Sequence, residues 1–171
     1  VIVQEWGYDY LKLDFLYAGA LKGRRYEPQM TRAQSLRRIL EVIRAAAGPD
    51  TYLTACGAPL GPAVGLVDAM RIGPDTAPNW EPNLGLLTRF VARNPSLPSL
   101  RNSLSQAMTR AWTHGRWWVG DPDVLMMRDE QTALTEHEVV AQATLIGLTG
   151  GTTLLSDDLD DLPPERRHLA S

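Results

Sequence analysis

Short apolar segments alternate along the chain with longer segments whose hydrophobic residues recur at helical spacing. Five of the short segments predict β-strands: Tyr10 to Phe15, Thr51 to Cys56, Asp68 to Ile72, Arg116 to Val119 and Thr152 to Leu155. Alternation of strands with amphipathic helices is typical of βα units built around a parallel sheet. The pattern therefore predicts an α/β fold.

Start and stop signals define the predicted helices. Thr31 and Gln34 form a capping box that opens the first helix, and Gly48 with Pro49 ends it. A second capping box, Thr135 with Glu138, opens a helix that runs to about Leu148. The apolar stripes are predicted to be Leu36, Ile39, Leu40 and Ile43 in the first helix, and Leu100, Leu104, Met108 and Ala111 in a helix spanning about Leu100 to Trp112. A short helix at Leu84 to Val91, and another beginning at Pro164, complete the prediction.

The number of units suggests how they are arranged. A complete (β/α)₈ barrel uses about 250 residues, or roughly 31 per unit, so a chain of 171 residues supplies about five units. The chain begins with Val1 and enters a strand almost at once. We therefore expect residues 1–171 to be a fragment of a longer chain that forms a partial (β/α)₈ TIM barrel, approximately strands 4 to 8. A small complete doubly wound fold is the alternative, but neither G-x-G-x-x-G nor G-x-x-x-x-G-K-[ST] occurs.

Composition narrows the classes of partner. Hydrophobic residues make up 44% and charged residues 22% of the chain, an ordinary globular balance. The net charge of -3 indicates no nucleic acid partner and no anionic membrane partner. No apolar run approaches the ~18 residues that a membrane helix needs. Cys56 is the single cysteine, which excludes a disulfide within the chain.

Charged residues interrupt the first predicted strand on one face. Lys12 and Asp14 share that face, whereas Leu11, Leu13 and Phe15 share the other. In a barrel the outer face packs on apolar helices, so Lys12 and Asp14 are expected to point inward, with Asp14 at the carboxyl end. Charges at that end of a barrel strand are typical of catalytic or ligand-binding sites. An ion pair that only fills the barrel is the alternative.

The third predicted strand repeats this arrangement. Small residues flank Arg71, and Asp75 follows the Gly73-Pro74 break just beyond the strand. We expect Asp14 and Asp75 to meet at the same end of the barrel, as retaining glycosidases require of two carboxyl groups roughly 5–5.5 Å apart. Alternatively, Asp75 caps a short helix at Thr76 to Pro78.

Four segments resemble melibiase-type α-galactosidases, glycoside hydrolase family 36 in the broad sense. W-G-Y-D-Y-L-K-L-D-F-L-Y-A-G-A (Trp6 to Ala20) resembles the nucleophile strand of that family. C-G-A-P-L-G-P-A-V-G-L-V-D-A-M-R-I-G-P-D-T-A-P (Cys56 to Pro78) resembles the segment that ends in its acid/base. G-D-P-D-V-L-M-M-R (Gly120 to Arg128) and G-G-T-T-L-L-S-D-D-L (Gly150 to Leu159) resemble its seventh and eighth strand regions.

The resemblance implies a retaining α-galactosidase without cofactor or metal, and it implies roles for individual residues. Asp14 would be the nucleophile and Asp75 the acid/base. The implied substrate contacts are Lys12 and Arg71 at the sugar, Cys56 and Gly57 near its 2-substituent, and Trp80 on the leaving-group side. Residues 1–171 would then be the C-terminal part of the catalytic barrel. The implied partners are an α-galactoside substrate, the remaining domains of the parent chain and, in a homo-oligomer, further copies of it.

Departures from the family keep other functions open. The family has further galactose-binding residues on its first three strands, an N-terminal β-sandwich and a C-terminal β-domain, and this chain has none of these. The isolated chain is therefore expected to be inactive. The alternatives are α-N-acetylgalactosaminidase or galactosyltransferase activity of the same family, or a non-catalytic carbohydrate-binding or structural fragment.

Several other polar and aromatic residues have ordinary structural explanations. His114, His137 and His168 lack the spacing of metal ligands, and the acidic run from Asp157 to Asp161 lacks that of a calcium loop. Asp121 and Asp123 either support the site or cap a turn. Trp112, Trp117 and Trp118 either stack on sugar rings or pack in the core. Core packing is favoured for all but one of the three.

Overall fold

The computed structural model describes residues 1–91, 93–167 and 169, and it has an α/β fold. The chain forms two compact units. The first contains Val1–Arg71 and Gly115–Val119, and the second contains Ile72–His114 together with the described residues of Gly120–Ser171.

A parallel sheet organises the first unit. Its strands are β1 (Tyr10–Leu13), β2 (Tyr52–Ala55) and β3 (Ala69–Arg71), and the sheet order is β1-β2-β3-β4, where β4 is Val119–Asp121. Strand β2 pairs in parallel with both β1 and β3. Val119, the first residue of β4, belongs to this unit, and its N–H donates to the Asp68 carbonyl at 2.8 Å.

Strand β1 shows the predicted alternation up to its end, but Phe15, which was predicted on the face of Leu11 and Leu13, is 65% exposed. Leu11 and Leu13 are half-buried, whereas Lys12 and Asp14 are exposed. The strand ends at Leu13, two residues before the predicted end, because Phe15 adopts the left-handed conformation with φ 53° and turns the chain. A 3₁₀ helix, Leu16–Ala20, follows directly.

Helix α1 (Arg32–Ala47) starts and ends as predicted. Thr31 and Gln34 form both hydrogen bonds of the capping box, and Gly48 follows the last helical residue. Leu36 and Leu40 are buried, but Ile39 is 40% exposed, so its predicted place in the buried stripe is wrong. A short helix, α2 (Leu60–Ala63), lies between β2 and β3.

The helices of the second unit pack around one apolar cluster. Helix α4 (Leu100–Arg110) is capped by Ser99, and α5 (Glu136–Thr149) begins with the predicted Thr135 capping box. Met108 is 56% exposed, so it does not belong to the buried stripe of α4. The buried members of the cluster are Leu100, Leu104, Leu125, Met127, Leu134, Val139, Ile146 and Leu162.

The predicted strand at Arg116 to Val119 is wrong in position. Gly115 has φ 69°, and its N–H donates to the Trp118 carbonyl at 2.9 Å, so these residues form a tight turn. The strand β4 therefore begins only at Val119.

Shorter elements complete the second unit. Strands β5 (Val124–Leu125) and β6 (Leu154–Leu155) pair in parallel, and β5 was not predicted. The predicted short helix at Leu84 to Val91 is a 3₁₀ turn, Gly85–Leu87, followed by α3 (Thr88–Val91). A second 3₁₀ turn, Ala111–Thr113, extends α4, and α6 spans Pro164–Arg167. In the described part of the chain, no helix has the length and apolar character needed to span a membrane.

Candidate active site

Asp14 lies immediately beyond the carboxyl end of β1. The left-handed turn at Phe15 brings the Phe15 N–H back to the Asp14 carboxylate, and Oδ1 accepts it at 2.7 Å. On the neighbouring strand the Cys56 N–H donates to the Leu13 carbonyl at 2.7 Å. The ends of β1 and β2 are thus held together next to the carboxylate.

The register of the sheet places three predicted residues on one face. Lys12 lies opposite Thr54, and Thr54 lies opposite Ala69. Because side chains alternate, continuing this register by two residues brings Asp14, Cys56 and Arg71 to the same face at the carboxyl ends of β1, β2 and β3. Arg71 is 6% exposed and Cys56 is 5% exposed, so two of these three side chains are buried, whereas Asp14 is exposed.

Positive charges and hydrogen bonds stabilise the ionised form of Asp14. Partial burial alone would raise the pKa of the Asp14 carboxyl. The hydrogen bonds from the Phe15 N–H and the Cys56 thiol, with the charges of Lys12 and Arg71, outweigh that effect and lower the pKa below its ordinary value. Asp14 is therefore a carboxylate at neutral pH, which is the form that a nucleophile requires.

The Cys56 thiol behaves as a hydrogen-bond donor. Burial raises its pKa to about 11, and the hydrogen bond to Asp14 acts in the same direction. The thiol is consequently protonated at neutral pH and donates to the carboxylate. Here the cysteine supports the acidic group rather than acting as a nucleophile itself.

Gly57 lets the chain pass close to this carboxylate. Its φ is 56°, a left-handed conformation that favours glycine. A Cβ atom at this position would lie 3.4 Å from the Phe15 Cα and 3.6 Å from the Asp14 Oδ1. The Gly57 carbonyl also accepts the Tyr17 N–H at 2.7 Å. The glycine therefore keeps the space beside Asp14 open.

Asp75 lies in the second unit, on the loop that follows β3. No helix begins at Thr76, so the alternative in which Asp75 caps a helix is wrong. The Asp75 carbonyl accepts the Ser99 N–H at 3.2 Å, and the Asp75 residue is exposed. Trp80 lies five positions further along, is 37% exposed, and accepts the Arg101 N–H through its carbonyl at 3.1 Å.

Two buried aspartates support the Asp75 loop. The Asp123 carboxylate accepts the Thr76 N–H at 2.6 Å, and the Asp121 carboxylate accepts the Asp123 N–H at 2.8 Å. Asp121 is 1% exposed and Asp123 is 5% exposed. The D-P-D sequence was the only signal of this support, and turn capping explained that sequence almost equally well. The hydrogen bond within the turn confirms turn capping, and support of a catalytic site stays a prediction.

His114 and Trp118 have structural explanations within their own units. His114 accepts the Gly120 N–H through Nδ1 at 3.2 Å, and Trp118 is buried beside Trp117, with ring centroids 5.5 Å apart. Trp112 is 54% exposed and Trp117 is 39% exposed, so the prediction of core packing for all but one of the three tryptophans is wrong. His168 lies outside the described residues. Among residues 1–91, 93–167 and 169, no three His, Cys, Asp or Glu side chains form a group that could hold a metal ion.

A cavity of about 660 Å³ in the second unit lies elsewhere. Its lining includes Arg128, Asp157 and Asp160, and none of the residues predicted to bind substrate. The Asp157 carboxylate already accepts the Met127 N–H at 2.5 Å. The acidic run from Asp157 to Asp161 therefore has at least one structural role, which is to anchor the segment after β5.

Solved α-galactosidase structures are similar to this chain over almost its whole length, although no protein-family model matches it. The α-galactosidase from Thermus thermophilus, in complex with stachyose, is 37% identical with a TM-score of 0.81 and covers 98% of this chain. The same enzyme in complex with p-nitrophenyl α-D-galactopyranoside is 38% identical with a TM-score of 0.79 and covers 95%. α-Galactosidase I from Mortierella vinacea, 16% identical with a TM-score of 0.66, covers 99% and shows the likeness of fold alone.

These similarities concern only a part of each enzyme. The chain spans 34% of the Thermus enzyme in its stachyose complex and 43% of the Mortierella enzyme. The similarity therefore covers between 34% and 43% of the length of these two enzymes.

Proposed function

This chain is related to the α-galactosidases, which are glycoside hydrolases, and we propose that the protein containing it hydrolyses terminal α-galactosidic bonds with retention of configuration. The observation that carries the proposal is the ionised Asp14 carboxylate at the end of β1, held by the Phe15 N–H and the Cys56 thiol beside Lys12 and Arg71. We also propose that the parallel sheet is part of a (β/α)₈ barrel, which places such residues at its carboxyl end.

The first half of the proposed reaction uses both carboxyl groups. A carboxylate oxygen of Asp14 attacks the anomeric carbon while the bond to the leaving oxygen breaks, which gives a galactosyl ester of Asp14. Asp75, initially protonated, transfers its proton to the departing oxygen, so that the leaving group departs as a neutral alcohol. Lys12 and Arg71 contact the sugar, and Trp80 forms the leaving-group side of the pocket.

In the second half, water replaces the aspartate. The Asp75 carboxylate takes a proton from water, the water oxygen attacks the anomeric carbon, and the bond to Asp14 breaks. Two displacements at the same carbon restore its original configuration. Asp75 is again protonated and Asp14 is again ionised, as at the start.

The protonated thiol has a clear role in this scheme. Because Cys56 donates a hydrogen bond to Asp14, it helps to hold the carboxylate in its orientation and in its ionised form. With Gly57, it also bounds the space where the 2-substituent of the sugar would lie, and the absence of a Cβ at Gly57 keeps that space open. Stachyose and p-nitrophenyl α-galactoside, which the Thermus enzyme holds in its crystals, are the first substrates to test.

The decisive experiment assigns roles from product stereochemistry. In the full-length protein, Asp14→Gly is expected to lower kcat for p-nitrophenyl α-galactoside by at least ~10³-fold, because the covalent intermediate can no longer form. Added azide should then displace nitrophenolate directly and give β-galactosyl azide. Asp75→Ala with azide should give α-galactosyl azide, because azide attacks the galactosyl–Asp14 ester.

A matched control and two contrary outcomes make this test specific. Asp50→Asn changes an exposed aspartate of the first unit and should leave kcat unchanged. Turnover of the nitrophenyl α-N-acetylgalactosaminide instead of the nitrophenyl α-galactoside would favour the related α-N-acetylgalactosaminidase activity. If the wild-type protein turns over neither substrate, the hydrolase assignment is wrong and a non-catalytic carbohydrate-binding role takes its place.

A further inference from the structure

A single peptide group connects Asp75 to the buried D-P-D turn. Its carbonyl, from Asp75, accepts the Ser99 N–H at 3.2 Å, and its N–H, from Thr76, donates to the Asp123 carboxylate at 2.6 Å. Both polar ends of the same planar unit are therefore held. Since the Asp75 Cα belongs to that plane, these two bonds restrict how the Asp75 side chain can be presented.

Asp123 is itself held in place through its backbone. Its backbone N–H donates to the Asp121 Oδ1 at 2.8 Å, and the Thr152 hydroxyl contacts the same oxygen at 3.4 Å. Asp123 has φ 77°, a conformation that Asn and Asp tolerate better than most residues. A strained backbone position with a fully buried carboxylate persists only where the surrounding contacts over-determine it.

A second path connects the same turn to Thr76. The Thr76 hydroxyl donates to the Ser103 hydroxyl at 3.1 Å, and the Ser103 hydroxyl donates to the Pro122 carbonyl at 3.1 Å. Ser103 is 1% exposed and Thr76 is 8% exposed. Both the main chain and the side chain of Thr76 are thus fastened to residues 121–123, whereas the neighbouring Asp75 is exposed.

We propose that Asp123 is a positioning residue for Asp75, acting through the Asp75–Thr76 peptide group, and that it sets the efficiency of proton transfer to the leaving group. The proposal rests on the proposed function, in which Asp75 is the acid/base. A buried carboxylate is a stronger acceptor than a neutral oxygen, and it fixes a backbone N–H more rigidly than water does. Asp123 contacts no substrate in this proposal.

The test compares two leaving groups in the full-length protein. Nitrophenolate departs without a proton, whereas the sugar alcohol released from stachyose requires one, so only the second depends on the placement of the acid. Asp123→Ser, which is too short to reach Thr76, should lower kcat/KM for stachyose at least ~10-fold more than kcat/KM for p-nitrophenyl α-galactoside. Asp123→Asn keeps an acceptor oxygen and tolerates the left-handed backbone, so it should restore most of the difference.

The outcomes separate this proposal from a general loss of structure. Equal losses of kcat/KM on both substrates, or a deficit that Asn does not rescue, would overturn the positioning role while leaving the hydrolase assignment intact. If Asp123→Ser does not fold, the Ser103→Ala variant is tested instead, because it removes the hydroxyl that links Thr76 to Pro122. A selective loss of kcat/KM on stachyose supports the proposal, and equal losses on both substrates overturn it. A wild-type protein inactive on both substrates would instead overturn the proposed function, and with it the positioning role.

Discussion

The Asp14 carboxylate is surrounded by groups that differ in how they act on it. The Phe15 N–H and the Cys56 thiol act through hydrogen bonds, whereas Lys12 and Arg71 act through charge. The hydrogen bonds orient the carboxylate, and together with the cations they lower its pKa and extend the pH range over which it is ionised. Replacing a cation therefore changes the ionisation of Asp14 without removing either of these hydrogen bonds.

Lys12→Met in the full-length protein is expected to move the acidic limb of the kcat/KM profile to higher pH. Asp14 must be ionised to attack, so activity falls as pH drops through its pKa. The Lys12 charge lowers that pKa, and its removal therefore raises it, which brings the loss of activity to a higher pH. A pH profile from 3 to 7 measures the shift.

Lys22 provides the matched control for Lys12. It is an exposed lysine of the same unit, and the Lys22→Met variant should keep the acidic limb of the wild type. The Lys12→Met variant can also lose binding to the sugar, which lowers the whole profile, so the position of the limb is the relevant readout. An unchanged limb would contradict the electrostatic role of Lys12.

Sequence reasoning at the residue scale worked where strand periodicity applied. Alternation placed Lys12 and Asp14 on one face, and the structure shows both exposed there. The hydrogen bond between Cys56 and Asp14 was not predictable, because it depends on the register between two strands that lie about forty residues apart. The buried support by Asp123 depends on a similar long-range contact.

At the scale of elements, two glycines of the second unit have opposite surroundings. A Cβ on Gly151 would lie 2.1 Å from the Gly120 carbonyl oxygen, in a segment held by the hydrogen bond from the Thr152 N–H to that carbonyl. Gly147, on an exposed turn of α5, has open space around its Cα. The first glycine is required for the close approach of two chain segments, and the second is not.

Gly151→Ala is therefore expected to destabilise the protein by about 2 kcal/mol or more, because the backbone must shift to relieve the contact. Gly147→Ala should instead stabilise it by up to ~1 kcal/mol, since alanine favours the helix. Denaturant unfolding followed by tryptophan fluorescence compares both variants with the wild type. Equal free energies of unfolding for the two variants would contradict the close contact at Gly151.

Local signals predicted the ends of elements better than their burial. Both capping boxes are formed, because they depend on residues only three positions apart. The strand predicted at Arg116 to Val119 is wrong in position, because Gly115 turns the chain and the strand begins only at Val119. Ile39 and Met108 are exposed although they have the right spacing, because what packs on a helix is set by distant elements.

At the scale of the whole chain, the predicted resemblance to α-galactosidases is confirmed by the solved structures. The α/β class and the parallel sheet are confirmed as well, while the barrel stays a prediction. The predicted roles of individual residues also stay predictions. Similarity extends over 98% of this chain but only 34% of the Thermus enzyme. The α-galactosidase activity is therefore proposed for the protein that contains this chain.

The isolated chain of 171 residues is expected to show no α-galactosidase turnover. Strand β1 lies at the edge of the sheet, beside an apolar groove of about 570 Å³ lined in part by Leu11, Leu13 and Ile43. An open edge next to apolar side chains favours self-association. Turnover of p-nitrophenyl α-galactoside and the molar mass from light scattering should be compared with those of the full-length protein. Activity from the isolated chain would contradict this expectation.

The buried thiol of Cys56 has a consequence for chemical reactivity. With a pKa of about 11, only about one thiol in ten thousand is a thiolate at pH 7. Alkylating agents and disulfides react with the thiolate, so the protein can keep a cysteine next to an acidic centre without exposing that centre to electrophiles or oxidants. The group that steadies the carboxylate is, for the same reason, chemically inert.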